Sequence, residues 1–169
     1  FDRAFDKVAM IGDSYDIVGS FRRGNATSGD IDVIISSKSD NRDIYTNFMK
    51  QLWKDGILIE NLSSGKTKSL TIGKIPWKTP SIARRLDFMY APPKEFAFST
   101  LYFTGSKSFN VVQRKRANDL GLTMNEHGLY TVVDKKKVLI DGHFPSERSI
   151  FDHLGMVWKS PKERMNGKS

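Results

Sequence analysis

Asp30 and Asp32 stand two residues apart in a run that is otherwise apolar and β-branched: Ile31, Val33, Ile34 and Ile35. Alternate side chains of a strand leave the same face, so both carboxylates project together. Two such groups repel and raise one another's pKa, and an apolar strand that keeps the pair generally supplies it with cations or hydrogen bonds. An edge strand with a solvated acidic face would carry the same pattern, but the residues just upstream argue for chemistry. Gly19, Ser20, Phe21, Arg22, Arg23 and Gly24 read as a glycine-serine turn that opens a short helix, and Gly29 directly precedes Asp30. Such a turn presents unpaired backbone N–H groups, and Arg22 or Arg23 adds a fork-shaped donor suited to phosphate. Phosphate donors thus lie about ten residues from metal-binding acids, which is the arrangement a magnesium-bound triphosphate requires.

A third acid on an adjacent strand would complete two metal positions roughly 3.5–4 Å apart, as two-metal phosphoryl transfer needs. Asp87 is the candidate because it interrupts the apolar run of Leu86, Phe88 and Met89; its competing role is an ion pair with Arg84 or Arg85. The implied cofactor is a pair of magnesium ions, with manganese as the alternative. One ion would activate the attacking hydroxyl and the other would hold the triphosphate, with Asp87 serving the first alone.

These acids need a sheet to carry them and a helix to cover its other side. Ile44, Phe48, Met49, Leu52 and Trp53 recur at helical spacing, so 42–55 reads as an amphipathic helix packed on a sheet. Strands are expected over 30–36 and 84–90, and 57–62 and 68–75 flank a Ser-Ser-Gly turn as a hairpin. Pro92 and Pro93 end that lobe, because proline breaks ladders. Helices over 94–103 and 107–120 follow, then a polar strand region over 122–141 and a last helix over 146–154. Phe109, Val112 and Leu120 are expected to face inward, and the segment after Pro161 is expected to fray. The fold class is α+β: a mixed or antiparallel sheet flanked by helices over 1–92, and a smaller helical plus β lobe over 93–169.

The 169 residues contain no cysteine, which removes disulfides, thiolate metal sites and a cysteine nucleophile and fits an intracellular setting. No run approaches the roughly 20 apolar residues of a membrane helix, so a soluble protein with no membrane partner is expected. Lysine and arginine number 27 against 19 acids, a formal charge of +8 that favours polyanions such as DNA. Gly65-Lys66-Thr67 imitates the end of a P-loop, but Glu60 occupies the required glycine position and strands flank it. Asn25-Ala26-Thr27 and Asn61-Leu62-Ser63 match a glycosylation pattern that arises by chance, and His127, His143 and His153 lack metal-ligand spacing. Trp53, Trp77 and Trp158 are expected to pack in the core or between lobes.

The run over 19–32, GSFRRGNATSGDID, resembles the signature of the family X DNA polymerases. The segments over 58–75 and 84–90, LYFTGSKSFNVVQRKR over 101–116 and IFDHLGMVWKSPKER over 150–164 agree with that family in order and spacing. The resemblance implies a nucleotidyltransferase fold, with a catalytic palm over 1–92 and a nucleotide-selecting lobe over 93–169. It implies a DNA polymerase that extends a primer on a template, filling nicks or gaps in base excision repair, as a monomer in the nucleus or another DNA-containing compartment. A nucleotidyltransferase with an RNA or small-molecule acceptor is the alternative, and a DNA-holding module without chemistry is a third. By the same resemblance, Asp30, Asp32 and Asp87 ligate the metals. Gly19, Ser20, Arg23 and Gly29 meet the triphosphate, and Tyr102, Phe103 and Gly105 meet the incoming sugar and base. Asn110 reaches the minor-groove edge of that base, and Lys68, Arg114 and Arg116 meet DNA. The Tyr102-Phe103 pair favours the template-directed branch. Lys107 stands where some relatives carry an acid that touches the nucleotide, so base selection is expected to differ. The family's lyase region, helix-hairpin-helix clamp and upstream arginine have no counterpart, so a protein of this length is expected to grip DNA weakly or to compensate with its basic surface or a partner.

Overall fold

Ile31, Val33 and Ile35 face one side of their strand, and the helix expected over 42–55 offers them an apolar stripe; that contact organises the first half of the chain. The computed structural model describes residues 1–26 and 29–165. In chain order the elements are α1 (Asp2–Asp6), β1 (Asp13–Val18), α2 (Gly19–Arg22), β2 (Asp30–Ser37), α3 (Asp43–Lys54), β3 (Leu58–Ser64), β4 (Lys68–Gly73), β5 (Arg84–Tyr90), α4 (Phe96–Thr104), α5 (Lys107–Asp119), β6 (Leu122–Asn125), β7 (Gly128–Val133), β8 (Lys136–Leu139) and α6 (Glu147–His153), before a 3-10 helix over Pro161–Arg164. The described residues of 1–17 and 29–93 form one unit, and those of 18–26 and 94–165 form a second. Thr27 of the glycosylation-like triplet and the tail beyond residue 165 lie outside the described residues.

In the first unit the strands run β1-β2-β5-β4-β3. β2 and β5 are parallel, while β4 pairs antiparallel with both β5 and β3, so the sheet is mixed and the fold is α+β. α3 buries Ile44, Tyr45, Phe48 and Leu52 against Val33, Ile35, Leu86, Phe88 and Tyr90. Phe48 is the hub, in ring contact with Phe1, Phe5, Tyr15 and Phe88. The sequence reading lacked α1, whose five residues are too few to show a period. Two of its tryptophans are also corrected. Trp53 and Trp77 are 41% and 67% exposed, the first on the outer flank of α3 and the second in the β4–β5 connection.

In the second unit, α4, α5 and α6 and the antiparallel sheet β6-β7-β8 enclose a core of Phe98, Leu101, Phe109, Leu129, Ile150, Phe151 and Leu154. Ser106 caps α5, accepting from the Phe109 N–H, and Ser146 closes a capping box on α6. The buried stripe of α5 runs through Phe109, Gln113 and Ala117, so the expected inward set is corrected: Val112 is half-buried and Leu120 is 43% exposed. Leu120 caps the helix just before Gly121, whose φ of 76° turns the chain away. The segment after Pro161 does not fray within the described residues, because Arg164 is fully buried. Among the described residues no helix is long and apolar enough to cross a membrane.

Candidate active site

The register of the two parallel strands sets the acids side by side. Asp30 lies opposite Arg85, Asp32 opposite Asp87, and Ile34 opposite Met89. Since Val33, Ile35, Phe88 and Tyr90 pack under α3, strand alternation turns Asp30, Asp32, Arg85 and Asp87 to the other face of the sheet. Lys68, opposite Met89 on β4, shares that face. Burial, and then repulsion from Asp87 and Asp30, push the Asp32 carboxyl above its ordinary range, while Arg85 and Lys68 oppose the rise only in part. The face thus sets three carboxylates beside the two cations Arg85 and Lys68.

Asp87 is 9% exposed and held by the Arg85 fork, which donates from Nε to Oδ1 at 3.0 Å and from Nη2 to Oδ2 at 3.3 Å. The ion pair weighed from sequence is thus present. Among the described residues no three His, Cys, Asp or Glu side chains are gathered closely enough to hold a metal. The donor set itself fits a hard cation, being all carboxylate oxygen and short of positive charge. Asp30, Asp32 and Asp87 are the residues that could hold such an ion, once Arg85 lets go of Asp87.

In the second unit α2 begins at Gly19, buried with φ 69°, and its two arginines have separate duties. Arg22 donates to Thr104 Oγ1 at 2.8 Å and to both carboxylate oxygens of Glu147. The same carboxylate accepts from buried Arg164 at 2.6 Å, and Arg164 also donates to the Lys159 carbonyl and lies over the rings of Phe109, Phe151 and Trp158. Burial opposes ionisation of Glu147, but the hydrogen bonds and charges of Arg22 and Arg164 outweigh it and hold its pKa below the usual range. Arg22 is a fastener. Arg23 donates from Nη1 to the Thr104 carbonyl at 2.6 Å, and its buried Nε has no hydrogen-bond partner among the described residues.

Tyr102 and Phe103 end α4, half-buried and edge-to-face at 4.9 Å. Asn110 Nδ2 donates to the Tyr102 carbonyl at 2.8 Å, and the Arg114 guanidinium lies 4.8 Å from the Tyr102 ring centre. Tyr102, Asn110 and Arg114 are therefore one packed group. Gly105 has φ 66°, which favours glycine, and a Cβ there would press on Arg23 Nη1 at 3.2 Å. Arg116, expected at DNA, donates from Nε to the Leu154 carbonyl at 2.8 Å and fastens the end of α6. Ser20 is half-buried; Gly29, Asp30 and Lys68 are exposed. The sequence reading missed Glu147 and Arg164 as residues that organise this unit, and it missed the burial of Gln113; their only local signal was a polar residue at a core-facing helical position.

Comparison with known proteins finds two family models along the chain, the first of which runs through 18–26 as well. Residues 4–93 match the family model described as DNA polymerase beta palm, and 99–165 match DNA polymerase beta thumb. The chain is 33% identical over 159 residues to DNA polymerase lambda of Rattus norvegicus, covering 86% of this chain and 28% of that protein. It is 29% identical over 150 residues to the DNA polymerase/3'-5' exonuclease PolX of Bacillus subtilis, covering 89% and 24%. Identity to the DNA-directed DNA/RNA polymerase mu of Homo sapiens is 25% over 192 residues, covering 92% and 37%. The chain thus spans less than two fifths of each of these curated relatives.

Proposed function

The chain belongs to the family X DNA polymerases, and from that premise we propose that it is the part of such an enzyme that adds deoxynucleotides to a primer 3′ end on a DNA template, filling gaps in repair. The observation that carries this reading is the register of β2 and β5, with Asp32 opposite Asp87 and Asp30 on the same face.

In this reading Asp30 and Asp32 would hold two magnesium ions, and Asp87 would serve only the ion that activates the primer hydroxyl. When bound, the ions lower the pKa of the primer hydroxyl and offset the charge that develops on the triphosphate. Arg85 sets whether Asp87 is available, since its fork occupies both carboxylate oxygens. Gly19, Ser20, Arg23 and Gly29 receive the triphosphate. Tyr102, Phe103 and Gly105 bound the sugar and base, and Asn110 meets the minor-groove edge. Lys68, Arg114 and Arg116 contribute to the DNA contact, and the formal charge of +8 supplies sequence-independent attraction to the phosphate backbone. The substrates are nicked or gapped DNA and deoxynucleoside triphosphates, met by a monomer in a DNA-containing compartment.

Incubation with magnesium, a gapped primer-template and deoxynucleotides tests this directly. Primer extension is expected from the wild-type chain and none from Asp87→Ala. A folded wild type that extends no primer with magnesium or manganese sinks the reading. Replacing deoxynucleotides by ribonucleotides, and DNA by RNA acceptors, separates the second reading, toward which the DNA/RNA name of the human relative points.

A further inference from the structure

Gln113 breaks the apolar stripe of α5. Phe109 and Ala117, four residues to either side, are fully buried, and so is Gln113. Among the described residues neither its Oε1 nor its Nε2 has a hydrogen-bond partner. A buried amide without partners is unfavourable, and an apolar side chain of equal volume would complete the stripe without that cost. Gln113 borders a cavity of about 10 Å³ whose lining is mostly apolar, with Phe98, Leu101 and Met124 beside Asn110 and Asn125. That is at most room for one water, which on an otherwise apolar lining would be held by the few polar atoms that Gln113, Asn110 and Asn125 bring to it.

We propose that this cavity binds one ordered water held by the Gln113 carboxamide and shared with Asn110 or Asn125, and that through it Gln113 is a positioning residue for Asn110, Tyr102 and Arg114. The inference deepens the polymerase reading and rests on it. Gln113 shares a helix face with Asn110 and directly precedes Arg114, and these two grip Tyr102 from its carbonyl and from its ring. A hydrogen-bonded water beneath that grip fixes where the Asn110 amide and the Arg114 guanidinium point, which an apolar side chain cannot do. Groups that meet a nucleotide must be held closely, since a displacement of about 1 Å can cost about a hundredfold in rate.

Three measurements on the full chain test the proposal. A high-resolution crystal structure of the wild type is expected to show one water within hydrogen-bond distance of the Gln113 amide and of Asn110 or Asn125; an empty cavity overturns the proposal. In Gln113→Met the melting midpoint is expected to hold or rise while Arg114 leaves the Tyr102 ring; a lowered midpoint with that stacking intact marks a merely structural role and overturns it. Gap-filling kcat/KM for the correct nucleotide is expected to fall about tenfold in Gln113→Met, with DNA affinity unchanged. Wild-type kinetics in that variant overturn the proposal while leaving the polymerase reading in place. A wild type that extends no primer ends the polymerase reading instead, and the water and the Arg114 displacement still decide the role of Gln113 because neither requires turnover.

Discussion

Asp32 and Glu147 are both carboxylates withdrawn from water beside arginines, and their pKa values move in opposite directions. Glu147 accepts from Arg22 and Arg164, and the two cations more than offset its burial. Asp32 is raised first by its burial and then by two further acids, and Arg85 and Lys68 do not cancel those effects. The difference separates a carboxylate that holds the fold together from one that the fold tolerates. A satisfied buried ion pair costs several kcal/mol to break by removing one partner, whereas like charges crowded on a sheet face are destabilising until something positive arrives.

The sharpest way to break this comparison is Asp32→Asn. Primer extension is expected to fall by at least about a thousandfold, the scale of losing a charge-stabilising group in the reaction. The same variant is expected to melt no lower than wild type, because it relieves repulsion with Asp30 and Asp87. Calorimetry together with a gel-based extension assay checks both. A variant that loses activity only because it unfolds would erase the distinction.

Glu147→Gln comes next and should act through stability. It leaves the fully buried Arg164 without its counter-charge, so a loss of about 3 kcal/mol is expected, measurable by urea unfolding. The sign of its pH dependence follows from the depressed pKa. The stabilisation is fully present above the unfolded value near 4.5 and is lost as pH falls through the lower folded value, so wild type and variant should converge in stability below about pH 4.5. A gap that stays constant down to pH 3 would mean that Glu147 is not held ionised by its arginines.

How far the sequence discloses each half of this contrast follows from contact range. Asp30 and Asp32 are legible because strand alternation is local, and β2, α3, the β3–β4 hairpin and β5 follow from period and turn chemistry in the same way. Asp87 could be named but not its state: alternation puts Arg85 rather than Arg84 on its face, but whether the fork closes on the carboxylate is not written in the strand pattern. Arg22 and Glu147 are 125 residues apart, and nothing in either neighbourhood announces the other. Gln113 was hidden for a different reason: a helical stripe is judged by its apolar members, so Val112 and Leu120 drew the inward assignment that belongs to 113 and 117. Trp53 and Trp77 show the converse error, since a large apolar side chain says little about which way it points at the edge of an element.

The smallest effect expected bears on the acid that stands between the two cases. Asp87 has a cation like Glu147 but sits among acids like Asp32, and Arg85, whose side chain is 42% exposed, is its only ion-pair partner among the described residues. An ion pair open to water on one side contributes little, so Arg85→Ala should cost little stability. Removing the fork leaves both Asp87 oxygens free and takes away a positive charge that competes with any incoming cation. Binding of manganese in the absence of DNA, followed by titration calorimetry, is therefore expected to tighten about three- to fivefold, as the loss of an exposed competing charge allows. Weaker binding would mean that Arg85 orients Asp87 toward the metal rather than occupying it, and Asp87 would then belong with Glu147 as a carboxylate whose arginine is part of its working state.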